Sequence, residues 1–316
     1  MKAVYHLLAD GNIHSGSALG ETLGVSRAAI WKQIKKLQEA GLEIETVPGK
    51  GYRLPFQVEF LQEESIRLRT VWDGNVSVLD TVDSTNLEVR RQLKAGASNI
   101  SNIVVVAEEQ THGQGRRGRH WASPYASNLY VSFSWPITAG MKQLEGLSLA
   151  VGLAVYRTLH PYGMQSLGLK WPNDVLVGRK KIAGILIDLT GDPNDQFYAV
   201  IGVGINVNQR VSAVIDNPWT SMLLETGSAI DRNVLLTDFL AQVGHVLEVL
   251  KEEGFAGLKE QWEAVHLWQE QQVILSYVEK KLIGVVKGEL ALGVGKSVQY
   301  YSGGEMTLRL SNDTRA

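Results

Sequence analysis

The chain has 316 residues, with 31 basic and 33 acidic side chains, a formal net charge of −2, no cysteine, 32 glycines and 8 prolines. Its length exceeds one average core and suggests two or three domains. Zero cysteine excludes a disulfide scaffold, a thiolate zinc site and a cysteine nucleophile. It also fits a reducing compartment.

Residues 1–62 read as one unit. Helical patterns cover Lys2–Ala9, Ser17–Leu23 and Ser26–Ala40, with Gly11 and Gly24 between them. Two β-prone runs follow, Glu43–Val47 and Tyr52–Leu54, split by the turn Pro48-Gly49-Lys50-Gly51. Helices joined by a tight glycine turn, then a β-ribbon, make a winged helix-turn-helix. In the third helix Ile30, Ile34 and Leu37 recur at core spacing. Arg27, Trp31, Lys32, Lys35 and Lys36 fall on the other sides, and the wing adds Lys50 and Arg53. A cationic helix of this kind can lie in a major groove with Lys and Arg on phosphates. The bland alternative is a solvated basic face on a small adaptor domain.

A connector runs from about residue 56 to 82, with Pro55 and the acidic cluster Glu59–Glu64 at the seam. A larger unit, residues 63–270, mixes strands and helices. Strands are expected at Ile103–Ala107, Leu129–Trp135, Leu167–Trp171, Lys181–Leu189 and Tyr198–Val207. Helices are expected at Leu87–Lys94, Gln143–Leu159, Leu235–Lys251 and Leu258–His266. Strands adjoin as hairpins more than they alternate with helices, which favours an α+β mixed sheet. From 271 to 316 only short strands remain, and about 45 residues of this kind suggest a small β-barrel.

No stretch approaches the roughly 18–20 uninterrupted apolar residues of a membrane span. The N-terminus lacks a signal-peptide hydrophobic region. A cytoplasmic protein without a membrane partner is expected.

Three stretches carry candidate chemistry. Gly113-Gln114-Gly115-Arg116-Arg117-Gly118-Arg119 matches the dinucleotide glycine pattern literally. That fingerprint needs an apolar helix directly after it, and His120-Trp121-Ala122-Ser123-Pro124 cannot open one. Glycines admit close ligand approach and arginines fork onto carboxylate or phosphate. An anion-binding loop that orders on its ligand is expected; a basic surface loop is the alternative.

In Lys170-Trp171-Pro172-Asn173-Asp174, followed by Lys180-Lys181-Ile182-Ala183-Gly184, an apolar strand ends in a proline-led turn and returns as a second strand. Lys170 and Lys181 then stand at two ends of one hairpin, beside Asp174 as a metal-facing carboxylate. Taken alone, Pro-Asn-Asp is turn chemistry. Ser84-Thr85-Asn86 precedes a helix, and Thr85 with Glu88 fits a capping box. Such a helix N-terminus can also bind a polar ligand group. Gly293-Val294-Gly295-Lys296-Ser297 only imitates a P-loop, since Leu290 stands where its first glycine is required.

The order of these motifs, ending in Gly204-Ile205-Asn206 and a C-terminal barrel, closely resembles the bifunctional bacterial biotin–protein ligases that also repress the biotin operon. The similarity covers essentially the whole chain. The resemblance implies a winged helix, a central mixed-sheet ligase domain and a small SH3-like β-barrel. It implies that biotin and ATP, with Mg²⁺, give biotinyl-5′-AMP, which then acylates a lysine of the biotin carboxyl carrier protein of acetyl-CoA carboxylase. Biotin contacts fall on Ser84, Thr85, Asn86, Gln110, Gln114, Gly115, Arg116, Lys181 and Gly184. Arg116 and Lys181 would hold carboxylate and phosphate, with Asp174 at the metal. Arg119, Lys170, Asn173, Asn206 and Trp219 would lie along ATP or the adenylate. Glu305 and Arg309 would support ATP binding and acceptor docking from the barrel. Arg27, Trp31, Lys32, Lys35, Lys36 and Lys50 would read biotin operon DNA. A homodimer driven by biotinyl-5′-AMP is implied as well.

One departure is local. The family usually has Arg where this chain has Gln114, so one positive charge is lost and a weaker electrostatic hold on ligand is expected. Two other classes stay open: a ligand-sensing regulator without catalysis, and a ligase whose winged helix no longer regulates.

Overall fold

Ser15 and Ser26 open the two helices of the turn motif. Ser15 Oγ accepts from the Ala18 N–H at 3.0 Å, and Ser26 Oγ accepts from the Ala29 N–H at 3.2 Å, each closing an orphan donor of a helix start. Gly24 between them adopts φ +66°, the left-handed stop that glycine allows. The computed structural model describes residues 2–39, 42–70, 74–95, 102–138, 140–193, 196–211, 217–277, 280–286, 291–294, 297–300 and 306–310, with side chains through residue 274.

The N-terminal unit holds α1 (Lys2–Leu8), α2 (Gly16–Leu23), α3 (Arg27–Glu39) and the wing strands β1 (Glu45–Val47) and β2 (Gly51–Arg53). Ile30, Ile34 and Leu37 are buried as their spacing requires. Their core also takes in Tyr125 and Ala126 from the larger unit.

The connector is more structured than its composition suggests. It contains α4 (Glu63–Arg69) and β3 (Asn75–Leu79), and α4 is short enough that its polar sequence masks it. It is also pinned. Arg232 is 1% exposed and pairs with Glu108 at 2.6 Å, while its other guanidinium nitrogen donates to the Glu59 carbonyl at 2.7 Å. Glu108 accepts from the Leu61 N–H, and Asn233 bonds the backbone of Phe60 and Gln62. A second seam joins α1 to the larger unit. Lys2 pairs with Asp80 and Glu109, and His6 Nε2 lies 2.8 Å from the Tyr125 hydroxyl.

The central sheet has seven strands in the order β3-β4-β5-β9-β8-β7-β6. These are β4 (Ile103–Ala107), β5 (Leu129–Pro136), β6 (Leu167–Lys170), β7 (Asp174–Val177), β8 (Lys180–Gly191) and β9 (Phe197–Ile205). Only β3 and β4 run parallel; every other neighbour is antiparallel. This is the mixed sheet expected from adjoining strands. Four helices complete the unit after α5 (Thr85–Lys94): α6 (Leu147–Leu159), α7 (Met222–Thr226), α8 (Arg232–Glu253) and α9 (Lys259–Ala264). The helix expected from Gln143 starts at Leu147, because Gly146 holds φ +72° and Met141–Leu144 forms a separate short turn. α8 is long and apolar enough to cross a membrane, but Phe239, Leu240, Val243 and Val246 on it are fully buried in the core of this unit.

Beyond it, β10 (Gln272–Tyr277), β11 (Lys280–Val286), β12 (Ala291–Val294), β13 (Ser297–Tyr300) and β14 (Met306–Leu310) form a five-stranded antiparallel sheet ordered β13-β12-β11-β10-β14.

Candidate functional site

The Gly/Arg loop is folded as a small hairpin. Gln114 bridges His120, the Gly115 N–H donates to the Arg119 carbonyl at 2.7 Å, and the Trp121 N–H donates to Gly113 at 2.9 Å. Arg117 takes φ +59° at its tip, a costly conformation for a side-chain-bearing residue. The hairpin thereby sets Arg116 inward and Trp121 across the sheet.

Two adjoining pockets lie beneath it. The first, with about 470 Å³ of open space, is lined by Ser84, Thr85, Asn86, Gln110, Gln114, Gly115, Arg116, Trp121, Asn173, Lys181, Gly184 and the stretch 202–204. The second is larger, about 1030 Å³, and is lined by Arg116, Arg117, Arg119, Trp121, Lys170, Asn173, Asp174, Lys181, Asn206, Pro218 and Trp219 among others. Gly115, Arg116, Trp121, Asn173 and Lys181 belong to both. Every residue expected at biotin therefore lines the smaller pocket, and every residue expected along the nucleotide lines the larger one.

The floor of the smaller pocket is a polar network. Ser84 is the N-cap of α5, but its side chain makes no cap bond, and Thr85 is the first helical residue. The capping-box expectation is thus corrected. The Thr85 N–H and hydroxyl go to Gln110 Oε1 at 2.9 and 3.1 Å. Helix packing on the sheet turns these groups inward, where a local cap would have turned them back. The Ser132 hydroxyl lies 2.6 Å from both Thr85 Oγ1 and Asn86 Oδ1, and Asn86 donates to Asp188 at 2.9 Å. Gln110 donates to Ser123 at 3.0 Å. Outside the pocket Arg91 forks onto Asp83 and holds that carboxyl down to about 2.

Two glycines shape the pocket. A Cβ on Gly202 would meet Asn86 Oδ1 at 2.2 Å, and one on Gly204 would meet the Trp121 ring at 2.5 Å. Bare strand backbone lets Asn86 and Trp121 lie directly on β9.

The shared wall carries the charge. Lys181 Nζ sits 2.5 Å from Asp174 Oδ1 and 5.3 Å from the centroid of the Trp121 ring. Arg116 donates to Asn173 Oδ1 at 3.2 Å, and Asn173 Nδ2 donates to the Ile185 carbonyl at 2.8 Å. Lys170 and Lys181 are not two ends of one hairpin. β7 intervenes, Lys170 pairs with Asp174 across β6 and β7, and a bulge follows between β7 and β8. Four residues, Asp174–Val177, sufficed for a strand that composition did not announce. Asn206 is almost fully buried and donates to the Thr220 carbonyl at 3.0 Å. It thereby fastens the segment bearing Trp219 beside Lys181, whose backbone pairs with it. Among the described residues no three His, Asp or Glu side chains gather as a metal site.

Sequence reasoning missed Trp121, Ser123, Ser132, Asp188 and Gly202 as site residues. Gly202-Val203-Gly204 inside a strand was the available signal, since glycine there marks close approach by another group. Glu305 lies outside the described residues. Arg309 lies on β14 opposite Ile274.

On the N-terminal unit Arg27, Lys32, Lys35, Lys36 and Lys50 are exposed, and Trp31 is 52% exposed with Lys35 over its ring at 5.5 Å. Arg53 instead pairs with Glu45 across the wing at 2.7 Å.

A model of the biotin/lipoate A/B protein ligase family matches residues 79–206, and a helix-turn-helix domain model matches residues 1–53. The chain is 39% identical over 313 residues to the bifunctional ligase/repressor BirA of Escherichia coli (strain K12), covering 96% of this chain and 95% of that protein. It is 31% identical over 258 residues to BirA of Bacillus subtilis (strain 168), covering 80% and 79%. Among solved structures, the biotin protein ligase of Aquifex aeolicus in complex with biotin and ATP matches with a TM-score of 0.64 at 31% identity, over 75% of this chain and 99% of that one.

Proposed function

This chain belongs to the family of bifunctional biotin–protein ligases and repressors, and we propose that its smaller pocket takes biotin while the larger takes ATP. The protein is a biotin–protein ligase with an N-terminal helix-turn-helix, and biotin and ATP are its substrates. The observation that carries the site assignment is the common wall: Arg116, Lys181, Trp121 and Asn173 face both pockets at once.

The first step brings two anions together. A biotin carboxylate oxygen attacks the α-phosphorus of ATP, the bond to the β-phosphate oxygen breaks, and pyrophosphate leaves. Arg116 and Lys181 offset the repulsion and stabilise charge on the transferring group. Asp174 orients the Lys181 ammonium, and Asn173 orients Arg116. Trp121 roofs the junction and keeps water from the mixed anhydride. Lys170 and Arg119 face the rest of the nucleotide, and Trp219 lies at its base. In the second step the acceptor lysine attacks the acyl carbon, and AMP leaves.

The donor set suits Mg²⁺, which binds through one or two carboxylates with phosphate oxygens and water. Asp174 would hold it, and the ion would neutralise triphosphate charge. The winged helix would engage biotin operon DNA through Arg27, Trp31, Lys32, Lys35, Lys36 and Lys50. One such unit reads a half-site, so repression requires a homodimer, formed on biotinyl-5′-AMP. The acceptor would be the biotin carboxyl carrier protein of acetyl-CoA carboxylase, docked with help from Glu305 and Arg309. Domain limits at 1–62, 63–270 and 271–316, a barrel closed from the C-terminal sheet, and a cytoplasmic location complete this reading.

Biotin-dependent exchange of pyrophosphate into ATP tests the assignment. Purified protein with Mg²⁺ is expected to exchange only when biotin is present. Absence of exchange would leave a regulator without catalysis. Sedimentation with and without biotin plus ATP tests the dimer.

A further inference from the structure

Past α9 the chain does not leave the ligase unit directly. Residues 265–267 run along the free edge of β6 as a strap. The Leu169 N–H donates to the Val265 carbonyl and the Leu267 N–H donates to the Leu169 carbonyl, both at 2.9 Å. Gly168 permits the approach, since a Cβ there would lie 2.6 Å from Leu267 Cδ2. The strap is anchored from below by His266, which is buried and stacked on Trp262 with ring centroids 4.5 Å apart. Burial pushes the His266 imidazole down to about 4. It is therefore neutral, and its Nε2 accepts the Trp171 N–H at 3.5 Å.

The next residue but one, Trp268, stands beside a residue of the nucleotide pocket. Lys170, which lines that pocket, holds its ammonium 4.9 Å from the centroid of the Trp268 ring. A lysine stem has four rotatable bonds and an ammonium strongly drawn to water. An indole face held by an edge-bonded strap removes part of that freedom. The strap thus touches the Lys170–Trp171 stretch twice, at the Trp171 backbone and at the Lys170 charge.

We propose that Trp268 is a positioning residue for the adenylation step: its ring holds the Lys170 ammonium against the nucleotide pocket. This rests on the larger pocket being the ATP site. Trp268 packs against the core and does not line the pocket; its link to the pocket is Lys170. Biotin, in the smaller pocket, is not served by this contact.

The test is biotin-dependent pyrophosphate exchange on the full-length chain, with ATP and biotin varied separately, in Trp268→Leu, Trp268→Phe, Lys170→Gln and the Lys170→Gln/Trp268→Leu pair. Trp268→Leu is expected to raise the KM for ATP by about 2- to 5-fold, the weight of one exposed cation–π contact, and to leave the KM for biotin unchanged. Trp268→Phe, which keeps an aromatic face, should recover most of the loss. In the Lys170→Gln background Trp268→Leu should add nothing. An equal rise in both KM values, or the same factor in both backgrounds, would make the strap merely structural and overturn the proposal. No effect of Trp268→Leu beside a clear effect of Lys170→Gln would overturn it too, with the pocket assignment intact. No effect of Lys170→Gln on ATP would remove the pocket assignment and the proposal together.

Discussion

Lys181 and Asp174 form a 2.5 Å ion pair at the wall that the two pockets share. β7 and β8 fix both ends of it, because Asp174 is the cross-strand partner of Gly184 and Lys181 of Leu176. On the proposed assignment, a lysine so held would meet both substrates without searching rotamers. Lys181→Met should lower biotin-dependent pyrophosphate exchange by about 10²-fold or more, the scale for one lost electrostatic donor. Asp174→Asn should cost less, since the ammonium stays but loses its orientation. An unchanged exchange rate in Lys181→Met would exclude it from the first step.

Gly202 is predicted to matter for ligand affinity as well as for packing. A methyl at Gly202 must displace Asn86 from Ser132 and Asp188. Overpacking costs about 1–3 kcal/mol, and here part of it falls on the smaller pocket, the one proposed for biotin. Calorimetric titration of Gly202→Ala should show biotin affinity reduced about 10-fold or more, a change in line with that energy. ATP affinity should change little. Wild-type biotin affinity in this variant would place the ligand elsewhere.

Arg232→Met should destabilise the protein more than any change in the pockets. The arginine is buried against Glu108 and also bonds the connector carbonyl at Glu59. Removing one partner of a buried pair typically costs about 3–5 kcal/mol, because the other charge is stranded. Urea unfolding measures this. Adding Glu108→Gln to the same variant should recover part of the loss, since the stranded charge is gone.

His266 sets an acid limit. Its folded-state value is lowered by burial from 6.5 to about 4. The unfolded chain therefore takes up a proton first as pH falls. The sign is loss of stability on acidification: full above about pH 6.5 and declining toward pH 4. Thermal unfolding across that window should show the decline, and His266→Asn should flatten it. An unchanged slope in the variant would assign the acid sensitivity to other groups.

The winged helix is expected to bind DNA with a salt dependence set by its exposed lysines. Lys32→Ala should weaken binding to biotin operon DNA and to random duplex alike, and should reduce the salt slope by about 1. Arg53→Ala should do less, because that guanidinium is engaged by Glu45. Anisotropy titrations at several salt concentrations distinguish the two. Equal slopes in wild type and Lys32→Ala would remove Lys32 from the phosphate contacts.

What the sequence determined was local. Periods of 3.6 and 2 and glycine stops are properties of neighbouring residues, and they were enough for α3, the wing, the long central strands and the all-strand character of the C-terminal stretch. The Gly/Arg loop and Lys170–Asp174 were legible for the same reason: their chemistry lies in consecutive side chains. Short elements, α4, β3, β7 and α7, were not legible, because few residues carry too little pattern.

Tertiary structure alone decided the rest, since each case depends on groups far apart in the chain. Thr85 spends its hydroxyl on Gln110, 25 residues away, instead of on its own helix. Arg232 reaches Glu108 across 124 positions and makes a pinned connector from what composition reads as a seam. Trp121 lies across the sheet only because β9 brings a bare Gly204 beneath its ring. The near-neutral charge of the whole chain resolves in the same way: it is a sum over distance, while the cationic helix and the cationic loop act where the fold sets them.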